Sequence, residues 1–235
     1  MIPAGRRLAV PAYFHPAVAR DDWVTLAEHA GRLRAVVLNI ADGPGAAPEP
    51  VLGAAIRAVA ERGGTVLGYV DTAYGERSPA AVRADAERYR AWYPVAGLFL
   101  DRVVTAADRL VAHGRVVAAA RAGAPGTLVA NHGTWPAPAY ADLADALVTF
   151  EGTAAAHAGA PSPAWAYGLP AARFWHLVYD VPADGLAGVL RRAVAGNVAT
   201  VLATDRAGAN PWNGLPSYFT HAIEAWEPHR DAAAR

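Results

Sequence analysis

Eight short apolar runs, each closing on a polar residue, punctuate this chain at regular intervals. They read RLAVPAYFH, AVVLNI, TVLGYVDT, GLFLDR, TLVANH, ALVTFE, FWHLVYD and ATVLATD. The runs begin near Leu8, Ala35, Thr65, Gly97, Thr127, Ala146, Phe174 and Ala199. Continuous rather than alternating apolar character is what a parallel strand buried on both faces requires. Helical stretches lie between them, so strand and helix alternate eight times and imply a parallel sheet. The pattern predicts an α/β fold, a single (β/α)8 TIM barrel over residues 1–235. Eight units fit closure better than an open doubly wound sheet, and 235 residues sit near the roughly 250 typical of such barrels.

The helical stretches carry their own punctuation. DDWVTLAEHAGRL is expected to start at an aspartate cap, and EPVLGAAIRAVAERGG to stop at Gly63 and Gly64. SPAAVRADAERYRAWY opens with Ser78 as N-cap and Pro79 at the first helical position. AADRLVAHGRVVAAARAG, YADLADA, DGLAGVLRRAVAGN and LPSYFTHAIEAW complete the set. The span from Gly152 to Pro170 is rich in Ala, Gly and Pro and poorly periodic, so the sixth helix is expected to be weak or replaced by a loop.

Absences narrow the chemistry. The chain has no cysteine and no lysine, and all 21 of its basic residues are arginine. Thiolate metal sites, cysteine nucleophiles, Schiff-base lysines and the phosphate-loop lysine are therefore excluded. Only Ser78, Ser162 and Ser217 are serines, and none sits in a Gly-x-Ser-x-Gly elbow. A formal net charge of zero with no basic patch argues against nucleic acid. No apolar run reaches the length of a membrane span, so no membrane partner is expected. The N-terminus shows no signal peptide, which predicts a cytoplasmic protein unless the sequence was trimmed. The Ala- and Arg-rich, lysine-free composition is similar to that of a GC-rich bacterial genome.

In barrels of this kind the working site lies at the C-terminal ends of the strands. That rule selects Tyr13, His15, Asn39, Tyr69, Asp71, Asp101, Arg102, Asn131, His132, Glu151, His176, Thr204 and Asp205. Asp71, Asp205 and Asn39 read equally well as caps of the next helix. Asp101 and Glu151 differ, because each ends a strongly apolar run, where an ionised carboxylate is costly unless paired or working. The competing structural reading is a salt bridge to Arg102 or Arg173. Two carboxylates across a cleft are the usual equipment for cleaving a glycosidic bond: one protonates the leaving oxygen, the other attacks the anomeric carbon or activates water. Aromatic residues in the same loops, Tyr74, Trp135, Trp165, Tyr167, Trp212 and Tyr218, suit the faces of sugar rings.

A metal-dependent hydrolase is a further reading, with His15, His132, His176 and Asp205 as ligands. The His-x-His pair and bridging lysine of barrel amidohydrolases are missing, as is His-Glu-x-x-His, so no metal or other cofactor is expected. The turn TDRAGANPWNG could hold a phosphate, with Arg206 as its main donor.

Taken together, VPAYFHP, LNIADGPG, LGYVDTAYGER, RADAERYRAWYPVAGLFLDRV, LVANHGTWP, DALVTFEGT, WHLVYD and TDRAGANPWNGLPSYF resemble the spherulation-specific, spherulin-four type family. The stretch Gly68 to Arg77 carries most of the specificity. The resemblance implies a (β/α)8 barrel and glycoside hydrolase activity, since characterised fungal relatives cut α-1,4-linked galactosaminogalactan. It implies a carbohydrate polymer as partner. Asp101 then matches the Asp of a family Asp-Glu pair on the fourth strand, as nucleophile or charge stabiliser. Glu151 matches the Glu ending the sixth strand, as general acid/base, and spacing in sequence leaves the two acid roles interchangeable. Tyr13, Asn39, Tyr69, Asn131, His132, Trp135, His176, Asp205 and Trp212 are expected to bind substrate. Arg102 stands where the pair's Glu belongs, and Asn39-Ile40-Ala41 replaces an Asn-Pro-Asn-type segment. Pointing into the cleft, Arg102 favours ionised carboxylates and repels a cationic sugar, which implies an altered substrate or a carbohydrate-binding barrel without activity. Turned outward, it has no such effect.

Overall fold

The structure is a computed structural model that describes residues 5–227. Eight parallel strands close into a barrel in sequence order: β1 (Arg7–Ala12), β2 (Ala35–Leu38), β3 (Val66–Asp71), β4 (Gly97–Asp101), β5 (Thr127–Asn131), β6 (Ala146–Thr153), β7 (Phe174–Tyr179) and β8 (Thr200–Ala203). Around them lie α1 (Arg20–Glu28), α2 (Pro50–Glu61), α3 (Pro79–Trp92), α4 (Leu110–Gly123), α5 (Ala154–Gly159), α6 (Leu186–Ala195) and α7 (Phe219–Trp226).

Helix boundaries follow local chemistry. The Ser78 side chain accepts from the Ala81 amide at 3.2 Å with Pro79 in the first turn, as the sequence predicts. Gly63, at φ +80°, ends α2 in a conformation few other residues adopt without cost. Two expectations fail. Helix α1 starts at Arg20 with no side-chain cap; Asp22 instead accepts from the Leu215 amide at 2.9 Å and ties the helix to the loop after β8. YADLADA forms only a 3-10 turn, Pro138–Asp142. Pro136 and Pro138 crowd its approach, and β6 begins only a few residues later. The sixth helix, α5, is a six-residue segment followed by 3-10 turns, the weak element that the composition suggests.

The barrel interior is filled by rings. Tyr69 stacks on Phe99 at 6.4 Å, Phe99 meets Trp175 at 6.4 Å, and Tyr13 sits edge-on to Tyr69 at 5.5 Å. Aromatic rings bury about 150–250 Å² each and dominate the energetics of such cores. Gly68 in β3 faces the other way, where a Cβ would lie 2.6 Å from the Tyr89 ring, so only glycine lets α3 approach.

Cα partners in a parallel sheet face the same side, so register fixes direction. Trp175 faces inward, and its partner Val148 does too. Simple alternation would then turn residue 150 inward and 151 outward. A β-bulge between Val148 and Phe150 reverses this: Phe150 pairs with His176, Glu151 with Leu177. The extra residue, Thr149, is fully buried. Phe150 consequently packs outward on His157 at 4.8 Å, and Glu151 enters the barrel mouth.

Candidate active site

Counting by twos along each strand brings Tyr13, Asn39, Tyr69, Asp101, Asn131, Glu151 and Tyr179 to the inward face. Their neighbours His132 and His176 turn toward the helices. The mouth of the barrel is a cavity of about 610 Å³, lined by Tyr13, Asn39, Asp42, Tyr69, Glu151 and Tyr179, with Asn210 and Trp212 from the loop after β8. That size suits a ligand of several rings. No arginine or histidine is among its lining residues.

Three of its lining residues, Tyr69, Glu151 and Trp212, form a continuous hydrogen-bonded series of five side chains with Asp101 and Asn131. Tyr69 Oη donates to Asp101 Oδ2 at 2.7 Å, and Asn131 Nδ2 donates to Asp101 Oδ1 at 2.7 Å. The same nitrogen donates to Glu151 Oε2 at 2.6 Å, and Trp212 Nε1 donates to Glu151 Oε1 at 3.0 Å. Asn131 Oδ1 accepts from the Gly133 amide at 3.0 Å, which fixes the amide orientation. The two protons on one nitrogen thus serve two carboxylates.

Neither carboxylate has an ion-pair partner among the described residues. Arg173 donates instead to the carbonyls of Ala141 and Ala144, and Arg102 to Asp71. The salt-bridge reading of the pair therefore falls. Burial pushes the Asp101 carboxyl up, against hydrogen bonds from Tyr69, the Arg102 amide and Asn131. Burial also pushes Glu151 up, reinforced by the charge of Asp101 and opposed by Asn131 and Trp212. Buried carboxyl groups raised by desolvation, without a counter-ion, are suited to proton transfer.

Arg102 does not enter the cleft. It has a left-handed backbone, φ +52°, immediately after β4, and its guanidinium forms a two-point pair with Asp71, with Nε 2.7 Å from Oδ1. Arg102 is absent from the cleft lining, yet its charge still reaches Asp101, so its influence on the carboxylates runs through the Asp71 pair rather than through direct contact with a ligand. Asp71 is accordingly a partner for Arg102 as well as a cap for the Ala73 amide at 2.7 Å.

Five other expected site residues lie elsewhere. His132 faces α4, its Nδ1 bonded to the Val104 carbonyl at 2.8 Å and its ring 5.0 Å from Tyr140. His176 faces α5, where its Nδ1 meets His157 Nε2 at 2.9 Å; burial lowers its pKa to about 3. Trp135 packs outside the barrel on Trp165 and Phe174. Asp205 caps Ser217 at 3.1 Å in the loop after β8. His15 pairs with Glu49 at 3.2 Å. The proposed metal ligands His15, His132, His176 and Asp205 are thus held by separate partners in separate places, and no cluster of three or more ligand-type residues occurs among the described residues. Arg206 is engaged by the Leu215 carbonyl and Asn213, which leaves the phosphate reading of that turn without its donor. Tyr179, Asp42 and Asn210 line the cleft without having been singled out from sequence. For Tyr179 a signal existed: inward parity from Trp175 reaches it in two steps.

The site and fold together define a closed parallel (β/α)8 barrel with an acidic, aromatic-lined mouth. Residues 7–226 match spherulation-specific family 4, and the chain belongs to that family. It is 25% identical over 233 residues to Spherulin-4 of Physarum polycephalum, covering 93% of this chain and 69% of that one. Sph3 of Aspergillus clavatus, crystallised in complex with GalNAc, superposes with a TM-score of 0.75 at 23% identity, over 96% of this chain and 99% of Sph3. A GH113 β-mannanase from Alicyclobacillus acidocaldarius gives a TM-score of 0.54 at 14% identity, over 96% and 98% of the two chains. These structural likenesses establish the barrel.

Proposed function

We propose that this protein hydrolyses an O-glycosidic bond in a polysaccharide containing amino sugars, using Asp101 and Glu151. The observation that carries the reading is the shared Asn131 amide, which holds two carboxylates without counter-ions, one of them lining an open cleft. The two bonds to one nitrogen cap the distance between the nearer oxygens. That ceiling suits the roughly 5–5.5 Å of double-displacement glycosidases, against roughly 6.5–9.5 Å for single displacement.

Asp101 accepts from Tyr69, Asn131 and the Arg102 amide, a donor set that favours the ionised nucleophile. Glu151 has fewer donors and feels the Asp101 charge, which favours the protonated acid. In the first step Glu151 gives its proton to the leaving oxygen while Asp101 bonds to the anomeric carbon. In the second, Glu151 takes a proton from water, whose oxygen displaces Asp101. A cleft lined by Asp42 and Glu151, with no cationic side chain, accepts neutral or cationic sugars. The GalNAc bound in Sph3 agrees with that class of ligand.

Product release from galactosaminogalactan and from neutral and acidic polysaccharides tests the reading, with Asp101→Asn and Glu151→Gln as controls. Cleavage lost in both variants is expected. Binding without cleavage by the parent protein would instead mark a carbohydrate-binding barrel.

A further inference from the structure

The cleft draws its lining from the ends of β1, β2 and β7 and from the loop after β8, with Tyr69 from β3 and Glu151 from β6. A second hollow, of about 500 Å³, opens on the opposite arc of the rim, among the loops after β3, β4 and β5. Tyr74, Val104, Thr105, Arg109 and Thr134 bound it. Glu151 lines the first hollow, and Asp101 ends β4, the strand whose following loop bounds the second.

We propose that this hollow is a second carbohydrate subsite, which holds the polymer beyond the scissile bond. The inference rests on the polysaccharide reading above and extends it to a particular surface. Tyr74 would be its platform. The residue is 60% exposed, although the backbone holding it is tightly specified. Ala73, Tyr74 and Gly75 are all left-handed, at φ +46°, +53° and +84°, a conformation unfavourable for a bulky residue. The Tyr74 amide donates to the Arg102 carbonyl at 2.8 Å, and the Thr72 amide to the Asp101 carbonyl at 3.0 Å, which joins the platform to the strand bearing Asp101. The Arg102 guanidinium lies 5.7 Å from the ring centroid and is itself anchored by Asp71. This assigns Arg102 a role: it braces the platform.

Around the ring, Arg109 and Glu76 have no side-chain hydrogen bond or ion pair among the described residues. One free cation and one free anion beside an exposed ring and two threonine hydroxyls match a neutral, polyhydroxylated ligand better than a phosphate or a carboxylate.

Affinity electrophoresis in gels containing galactosaminogalactan or chitosan tests the proposal in the Glu151→Gln background, which leaves the polymer uncut. Tyr74→Ala is expected to weaken polymer retention about tenfold, and Tyr74→Phe to preserve it. Arg109→Ala should weaken retention about threefold. Calorimetric binding of GalNAc and the melting temperature should not change in any of them. Retention unchanged in Tyr74→Ala overturns the subsite and leaves the hydrolase reading intact. Parallel loss of polymer and GalNAc binding also overturns it, because the two hollows would not be separate. No retention of the parent by either polymer overturns both readings together.

Discussion

Asp71 and Arg102 grip each other across adjacent strands, Nε to Oδ1 at 2.7 Å, and the pair sits beside Asp101 in register. Burial pushes the Asp71 carboxyl up, but the Arg102 guanidinium and the Ala73 amide outweigh it and hold Asp71 below its ordinary value. The charge of Asp71 in turn raises Asp101. Removing the cation in Arg102→Gln therefore leaves an uncompensated negative charge near the nucleophile. The acid limb of kcat/KM is expected to move to higher pH, with kcat at neutral pH falling less than about tenfold. Asp71→Asn added to Arg102→Gln should return the limb toward its original position. A profile identical in parent and Arg102→Gln would count against this coupling.

Asn131→Ala removes the one donor common to both carboxylates. Their mutual repulsion then goes unrelieved, and both groups move further up in pH. A fall in kcat of about 10²–10³-fold is expected, comparable to loss of a preorganised donor in other sites. KM should change little. A kcat within threefold of the parent would show that the shared amide is incidental.

Glu151→Gln should stabilise the protein at neutral pH. A carboxyl whose folded pKa is raised contributes stability below its unfolded pKa, and loses it as pH climbs through the folded value. At pH 7 the ionised group is therefore a burden on the fold, and a neutral isostere relieves it. Calorimetry should find a melting temperature higher by about 2–4 °C at pH 7, with the gain shrinking toward pH 4. A lower melting temperature at pH 7 would refute the argument.

The buried histidines act in the opposite sense. Burial lowers His113 to about 4, and neither of its ring nitrogens has a partner among the described residues. A depressed histidine contributes stability above its unfolded pKa, near 6.5, and loses it as pH falls toward the folded value. His113→Phe keeps the contact with Tyr140 while deleting two unpartnered polar atoms. A gain of about 1 kcal/mol at pH 7 is expected in urea unfolding, together with a flatter decline from pH 6.5 to 4. A loss of stability at pH 7 would mean that the ring nitrogens are satisfied in solution.

Much of the barrel was legible because its strands are buried on both faces and carry no polar interruptions until their ends. The candidate pair was legible for the same reason, since Asp101 and Glu151 break apolar runs. Direction was harder to read. His132 and His176 are as polar as Asn131 and Tyr179, and only parity within each strand separates inward from outward. Asp42 and Asn210 reach the cleft from loops whose conformation no periodicity encodes. The partner of Arg102 was hidden because Asp71 is remote in sequence and adjacent only in register.

The extra residue in β6 shows that the register partner, and not the count along the chain, delivers the glutamate. Deleting Thr149 would restore plain alternation, with Val148 inward, Phe150 outward and Glu151 inward, and keep Glu151 opposite Leu177. In a comparison of relatives, a one-position gap there is therefore compatible with the same glutamate in the same place. Inheritance of the carboxylate is judged by what it faces across the sheet, not by its distance from Val148.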